Sequence, residues 1–412
     1  MNTELHFTRY LYVKEEVNLS LILCILNKKD EAIFWAYELY YSGFKRELIY
    51  LIWCIYYDFY YTLNPSFEKY LQQKLKTNLD FEANCENLLA MIIHNFMIRP
   101  YTMDIFMLKQ IIHVCDFENP STQEYKISSN FAIINNELDI ILENQDFIML
   151  SSLILTEIKD DHIIETLQIV VNYFNKKGLK LDSKKVNSEY LKILHNNYHS
   201  NNKRVILLSK ILHYFILIKK IKLGKNIYIH IEPEEVIIYE TINAELKAKD
   251  DEFGRPILPA YKILPLALIY HIDKYNYLSL FHLKREKIDI KIVYREQWLY
   301  YASFSPLWKE RIIKHNGFID EQNKKIMFVE KENRNSYDNE EAFYNEFGYE
   351  PDEQKIETQN KTIQEIKKER TWLSFYEEHK NNGIVEIEDD ILNDMDKITY
   401  IYYTFSHFKR PF

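Results

Sequence analysis

Seven glycines are all that this chain of 412 residues carries, with ten prolines. Glycine turns a backbone through the left-handed region without a steric penalty, and proline pre-sets the other common turns. A sandwich or barrel of many short strands needs such residues at short intervals. A chain poor in both, and rich in Leu, Ile, Lys and Glu, is constrained to build mostly helices. Apolar residues at 47% and charged residues at 27% supply a substantial core, which excludes a disordered polymer. The length fits two or three domains, or one elongated array.

The stretch EAIFWAYELYYSGFKRELIYLIWCIYYDFYYTLNP, residues 31–65, holds eight tyrosines and five other large aromatics. Its uncharged run between Glu47 and Asp58 is ten residues, half of what a membrane span requires. A base-stacking platform would interleave exposed rings with Lys or Arg, whereas basic residues occur here only at the hinge. Ile33, Tyr37, Tyr40 and Phe44 recur at helical spacing, with Gly43 as a left-handed stop. Lys45 to Leu63 reads as a second helix, apolar on two adjacent faces and ended by Pro65. The two form an antiparallel hairpin whose aromatics are core. Cys24, Cys54, Cys85 and Cys115 lie 30, 31 and 30 residues apart. That period is about one helical hairpin, as in HEAT-like arrays.

Helical patterns continue over 83–98, 103–114, 136–143, 150–158, 162–175, 188–198 and 204–221. The alternating NIYIHIEPEEVIIYETI, residues 226–242, then reads as a hairpin or two short strands around Pro233. Residues 247–259 read as a loop, 261–275 and 296–315 as helices, and GFIDEQNKKIMFV (317–329) as a β-hairpin. The expected organisation is a mainly α fold: a helical-hairpin array over 1–225, then a smaller mixed α+β module over 226–329. An acidic linker over 330–360 and a C-terminal helical segment over 361–412 follow, with the last apolar residues docking back.

Charge is uneven. Residues 1–175 hold 13 basic and 24 acidic residues, and residues 232–412 hold 26 and 35. Residues 176–231 hold 13 basic and 2 acidic ones. Such a basic block inside an acidic chain is the footprint expected for a phosphate backbone, RNA or DNA. Its densest part is Lys203, Arg204, Lys210, Lys219, Lys220, Lys222 and Lys225. Helical spacing lets Lys203, Lys210 and Lys220 share one side, with Lys219, Lys222 and Lys225 at a helix end. The alternative is a basic face that pairs with the chain's own acidic first third.

No catalytic signature stands out. His195 and His199 have ligand spacing, but the Glu of a zinc-protease motif and a third ligand are missing. Cys115 follows His113 with no second pair at zinc-site spacing, and no CxxC occurs. Asp160, Asp161 and His162 sit at a plausible helix start, where carboxylates favour the dipole. Glu234 and Glu235 fall in a turn, and Ser303 and Ser305 lack the glycine-flanked nucleophile elbow. Neither GxxxxGK[ST] nor GxGxxG is present, so no metal or cofactor is expected and a nucleotide-cofactor enzyme is disfavoured. An enzyme with an unrecognised site, assembled from distant positions, stays open. The N-terminus lacks the features of a signal peptide. With free thiols, it fits a cytosolic protein without a membrane segment.

Two patches carry a resemblance: DEAIFWAYELYYSGF (30–44) and YYASFSPLWKERI (300–312). Both resemble segments of a protein family of large, AT-rich nucleocytoplasmic DNA viruses of the mimivirus kind. The resemblance implies a viral protein acting in the host cytoplasm on replication, transcription, mRNA handling or translation, and carries over no catalytic residue. The first patch is also similar to the helical hairpin ending clamp-loader-type ATPases, whose ATPase module is missing here. YNYLSLF (275–281) resembles the short helical motif by which translation-initiation scaffolds grip a cap-binding protein, with Tyr275, Leu280 and Phe281 as anchors. The expectation is a non-enzymatic viral scaffold tethering nucleic acid, RNA favoured, to protein partners. A structural or assembly protein of a virus particle is the alternative.

Overall fold

The computed structural model describes residues 5–76, 86–118, 131–194, 202–236, 239, 292–293, 296–329, 339–347, 372–379, 384–385 and 400–402. Most of them are helical. The chain opens with α1 (Lys14–Leu26), α2 (Glu31–Tyr41) and α3 (Lys45–Ile55), each packed on the next in sequence. Then come α4 (Phe67–Lys76), α5 (Glu86–Met97), α6 (Asp104–Glu118), α7 (Phe131–Asn144) and α8 (Phe147–Ser152). A layer of α9 (Ile163–Lys176), α10 (Ser183–Leu194) and α11 (Lys203–Ile218) follows. Shorter helices complete the described chain: α12 (Trp298–Ala302), α13 (Pro306–Lys314), α14 (Asn339–Phe347) and α15 (Trp372–His379).

The scarcity of glycine is written into the helix ends. At the end of α2, Gly43 has φ +90°, and its N–H and that of Phe44 bond back to Tyr40 and Leu39. This is the Schellman closure that glycine favours. The same closure ends α1, α7 and α11 with Lys28, Gln145 and Lys220 at the left-handed position, at φ +55°, +54° and +53°. Each such residue carries a left-handed strain of about 1–2 kcal/mol, part of which the backbone freedom of an unfolded glycine would offset. The chain tolerates this because tertiary packing, rather than the cap, holds these helices.

The aromatic stretch is interior. Phe34, Trp35, Tyr37, Trp53, Tyr56, Tyr57, Phe59 and Tyr60 are all fully buried. Trp53 stacks on Tyr57 with centroids 6.1 Å apart, and Tyr60 meets Phe96 at 4.8 Å. The expected helix over 45–63 is not uniform: α3 passes into a π-helical turn at Tyr56–Tyr60. That extra residue per turn places Asp58 inward, where it accepts both bonds of a buried pair with Lys109 of α6 at 2.8 Å. The turn packs on α6 and α11, so α11 lies against helices distant in sequence as well as against α9.

The segments 30–44 and 300–312, distant in sequence, touch each other. The Leu307 N–H donates to the Ser42 carbonyl (3.2 Å). A Cβ on Gly43 would lie 2.6 Å from Pro306, so this approach requires glycine. The N-terminal segment closes the junction. Phe7 donates to the Tyr301 carbonyl, and the Trp308 indole donates to that of Thr8. Beneath it Arg9 and Glu38 form a buried ion pair at 2.8 Å. Glu38 also accepts from the Tyr10 N–H, and the guanidinium lies over the rings of Tyr10 and Tyr41. Burial opposes the Arg9 charge, but Tyr10 and Glu38 outweigh it and raise its pKa.

Strands are few and short. β1 (Tyr101–Thr102) pairs antiparallel with β5 (Ile384–Val385), and β2 (Tyr228–His230) pairs in parallel with β6 (Tyr400–Tyr402). Of the hairpin or two short strands expected within 226–242, the described residues hold one strand, β2. β2 finds its partner near the C-terminus, and residues 233–236 turn helical. Pro233 suits a first helical turn, and Glu234 and Glu235 favour its dipole. The hairpin expected at 317–329 is present as β3 (Gly317–Asp320) and β4 (Lys325–Phe328). The helix expected over 296–315 breaks at Ser303–Ser305, where the Ser305 hydroxyl caps α13 by accepting from the Trp308 N–H. Within the expected linker 330–360, Asn339–Phe347 is a helix whose Phe343 is fully buried against Trp308 and Phe328. Among the described residues, no helix is long and apolar enough to cross a membrane.

Candidate nucleic-acid interface

The basic block folds into the α9–α11 layer, whose helix directions follow from its contacts. At one end Lys203, opening α11, pairs with Asp160 just before α9 (3.1 Å). At the other end Phe215 of α11 meets Phe174 of α9, centroids 4.9 Å apart. The two helices therefore run the same way. Between α9 and α10, the Asn175 side chain grips the Leu181 backbone, accepting at 2.7 Å and donating at 3.0 Å. Asp182 caps α10 by accepting from the Lys184 and Lys185 N–H groups. Tyr190, far along α10, donates to the Lys203 carbonyl, so α10 runs back. The end of α9, the start of α10 and the end of α11 thus lie at one edge of the layer.

The seven candidate residues separate by depth. Lys203 and Arg204 are half-buried and engaged, both with Asp160 and Arg204 also with the Leu155 carbonyl. Lys210 is buried. Its ammonium donates to the Tyr61 hydroxyl (2.9 Å) and lies over that ring. These three are engaged within the fold: Lys210 lies inside it, while Lys203 and Arg204 stay partly exposed, and α11 packs on the π turn Tyr56–Tyr60 and on the segment Leu153–Glu157 after α8. Lys219, Lys220 and Lys222 are exposed at the end of α11, and Lys225 is half-buried beyond them. Gly224 anchors this tail to the fold: its N–H donates to the Leu63 carbonyl, and a Cβ there would lie 1.9 Å from Asn64 Oδ1.

The other half of this edge belongs to the basic block 176–231 but not to its seven densest residues. Lys176, Lys180, Lys184 and Lys185 are exposed around the α9–α10 turn. They were legible as basic residues flanking Gly178, but nothing local says that this turn meets the end of α11. The ends of α9 and α11 carry partial negative charge, which Lys176, Lys219 and Lys220 complement, whereas Lys184 and Lys185 stand in the first turn of α10, beside Asp182. Among the described residues, several nearby carboxylates are already engaged. Glu143 is held below the usual carboxylate range by its hydrogen bond from Lys177, with Tyr173 adding a second. Asp146 caps α8 by accepting from the Met149 N–H. Asp104 is pushed up to about 6 by burial, against a hydrogen bond from Thr102 and the charge of Lys219.

The remaining candidates are structural or lie elsewhere. The Ser303 hydroxyl donates to the Tyr300 carbonyl. His162 pairs with Glu165 across one helical turn. Burial pushes the thiols of Cys24 and Cys54 up to about 12 and about 11, so neither is a thiolate nucleophile at neutral pH. Among the described residues, no three His, Cys, Asp or Glu side chains cluster to hold a metal. Tyr275, Leu280, Phe281, His195, His199 and Cys85 lie outside the described residues, as do the side chains of His113 and Cys115. Comparison with protein-family models, curated proteins and solved structures finds no match to this chain.

Proposed function

We propose that this chain is a non-enzymatic scaffold that holds a phosphate backbone, RNA in preference, along the lysine edge of the α9–α11 layer. One observation carries the reading. Exposed lysines from the α9–α10 turn and from the end of α11 share one edge, although some 35–45 residues separate them in sequence. Exposed ammonium groups on one edge suit a repeating array of phosphates, and each contact releases a counterion. The hairpins α1–α2 and α9–α10 support a HEAT-like array as the scaffold's form, with α11 closing the stack. A cap-binding protein gripped by Tyr275, Leu280 and Phe281, and a viral setting in the host cytoplasm, belong to the same proposal. They rest on the sequence resemblances alone.

A second reading has its own observation. Lys177 pairs with Glu143, and Lys203 with Asp160, so part of the block does meet the acidic first third. A purely structural or assembly protein would use it that way. Titration of fluorescent single-stranded RNA and duplex DNA at two salt concentrations separates the readings. The scaffold reading expects affinity that falls steeply with salt and is higher for RNA. Absence of binding at low salt overturns it in favour of the structural one.

A further inference from the structure

The β3–β4 hairpin has two unlike faces. Ile326 and Phe328 turn inward, and Phe328 packs on Phe343 with centroids 5.2 Å apart. The opposite face follows from the two-residue period of a strand. It carries Met327 and Lys325 on β4, Val329 just beyond, and Phe318 and Asp320 on β3. Phe318, Met327 and Val329 are 52%, 46% and 55% exposed. Isolated apolar side chains at a surface are ordinary, but an adjacent group on a regular face marks a contact site.

The occupant follows from the register. Phe318 stands directly opposite Met327, and Asp320 directly opposite Lys325. A two-fold axis running along the hairpin lays β3 of one copy over β4 of another. Apolar side chains then meet apolar ones, and each carboxylate meets an ammonium. Asp320 is pre-set for this, because its carboxylate accepts from the Gln322 and Asn323 N–H groups and the Asn323 side chain. We propose that this face is the contact surface of a two-fold homodimer, with Phe318 on Met327 and Asp320 on Lys325 of the second copy. The patch is far smaller than a standard interface, so the dimer is weak and concentration-dependent.

Sedimentation velocity of the full chain across the micromolar to sub-millimolar range tests this. The wild type should shift from monomer toward dimer as concentration rises. Phe318→Glu and Met327→Lys, each alone, should weaken association at least about tenfold, because each copy buries an unpaired charge. An equimolar mixture of the two should associate again. One contact then joins the introduced carboxylate to the introduced ammonium, and the other keeps Phe318 on Met327. Val329→Asp is a further variant outside the paired strands and should also weaken association. A wild-type monomer at every concentration, single variants that associate like wild type, or a mixture no stronger than its components would each overturn the proposal.

Discussion

Residues 31–65 and residues 176–231 are both compositional extremes, one aromatic and one basic, and the fold treats them differently. The aromatic stretch has a single fate. Its rings recur at helical spacing, helices on both sides require an apolar surface, and nearly all of it is interior. The basic block has three fates. Lys210 is in the core, Lys203 and Arg204 brace α11, and Lys219, Lys220 and Lys222 stand in water. Apolar side chains have one favourable place, so their period shows where they go. A lysine can lay its stem along a core, pair with a carboxylate or extend into solvent, and only its neighbours decide which.

The comparison is broken most severely at a buried charge. Glu38→Ala leaves Arg9 in the core without its carboxylate, and should cost about 3–5 kcal/mol in urea unfolding. Trp53→Ala, inside the aromatic stretch, should cost a similar about 3–5 kcal/mol by removing a fully buried ring. A cost within the error for a surface change at either site would show that the stretch is not the core.

The next effect is a pH dependence. His94 is fully buried and held down at about 4 by burial, against an ordinary value of 6.5. Between those values the unfolded chain binds the extra proton, so stability falls as the pH drops from 6.5 toward 4. The gap corresponds to about 3 kcal/mol. Asp104 acts in the opposite sense. Its folded pKa of about 6 lies above the ordinary 3.8, so its contribution is full below 3.8 and is lost as the pH rises through 6. Urea midpoints measured across this range should show a shallower acid limb in His94→Leu and a steeper one in Asp104→Asn.

The smallest effect sharpens the comparison most. Lys220 occupies a left-handed position at φ +53° and is also an exposed candidate for phosphate contact. Lys220→Gly should raise stability by up to about 1 kcal/mol and at the same time weaken RNA binding. Lys28→Gly, at the same position of α1, should give the first effect without the second. A Lys220→Gly variant that binds RNA like the wild type, or a Lys28→Gly variant that weakens binding as much as Lys220→Gly does, would contradict the assignment of the α11 end as the binding edge.

The sequence made much of the fold legible, for a definable reason. Helix spans fell within a few residues of the observed ones wherever apolar period and end signals coincided, as at Gly43 and Pro65. The π turn at Tyr56–Tyr60 was hidden, because it exists to bring Asp58 to Lys109, 51 residues away. The pairing of β1 and β2 leaves no local signal, because a strand of two or three residues has too little alternation to register and their partners lie more than 150 residues downstream. The helix Asn339–Phe347 reads as acidic linker until Phe343 is known to have a pocket. Half of the lysine edge was likewise invisible, since it depends on α9 and α11 running the same way.

The central claim is that the basic block binds through its exposed edge and not through its engaged members. The direct measurement is the salt dependence of single-stranded RNA affinity for three proteins: the wild type, Lys219→Glu/Lys220→Glu/Lys222→Glu, and Lys203→Gln. The account predicts a steep wild-type slope, loss of binding or a slope reduced by about 2 in the triple variant, and a slope unchanged in Lys203→Gln. A triple variant that binds with the wild-type slope would contradict it.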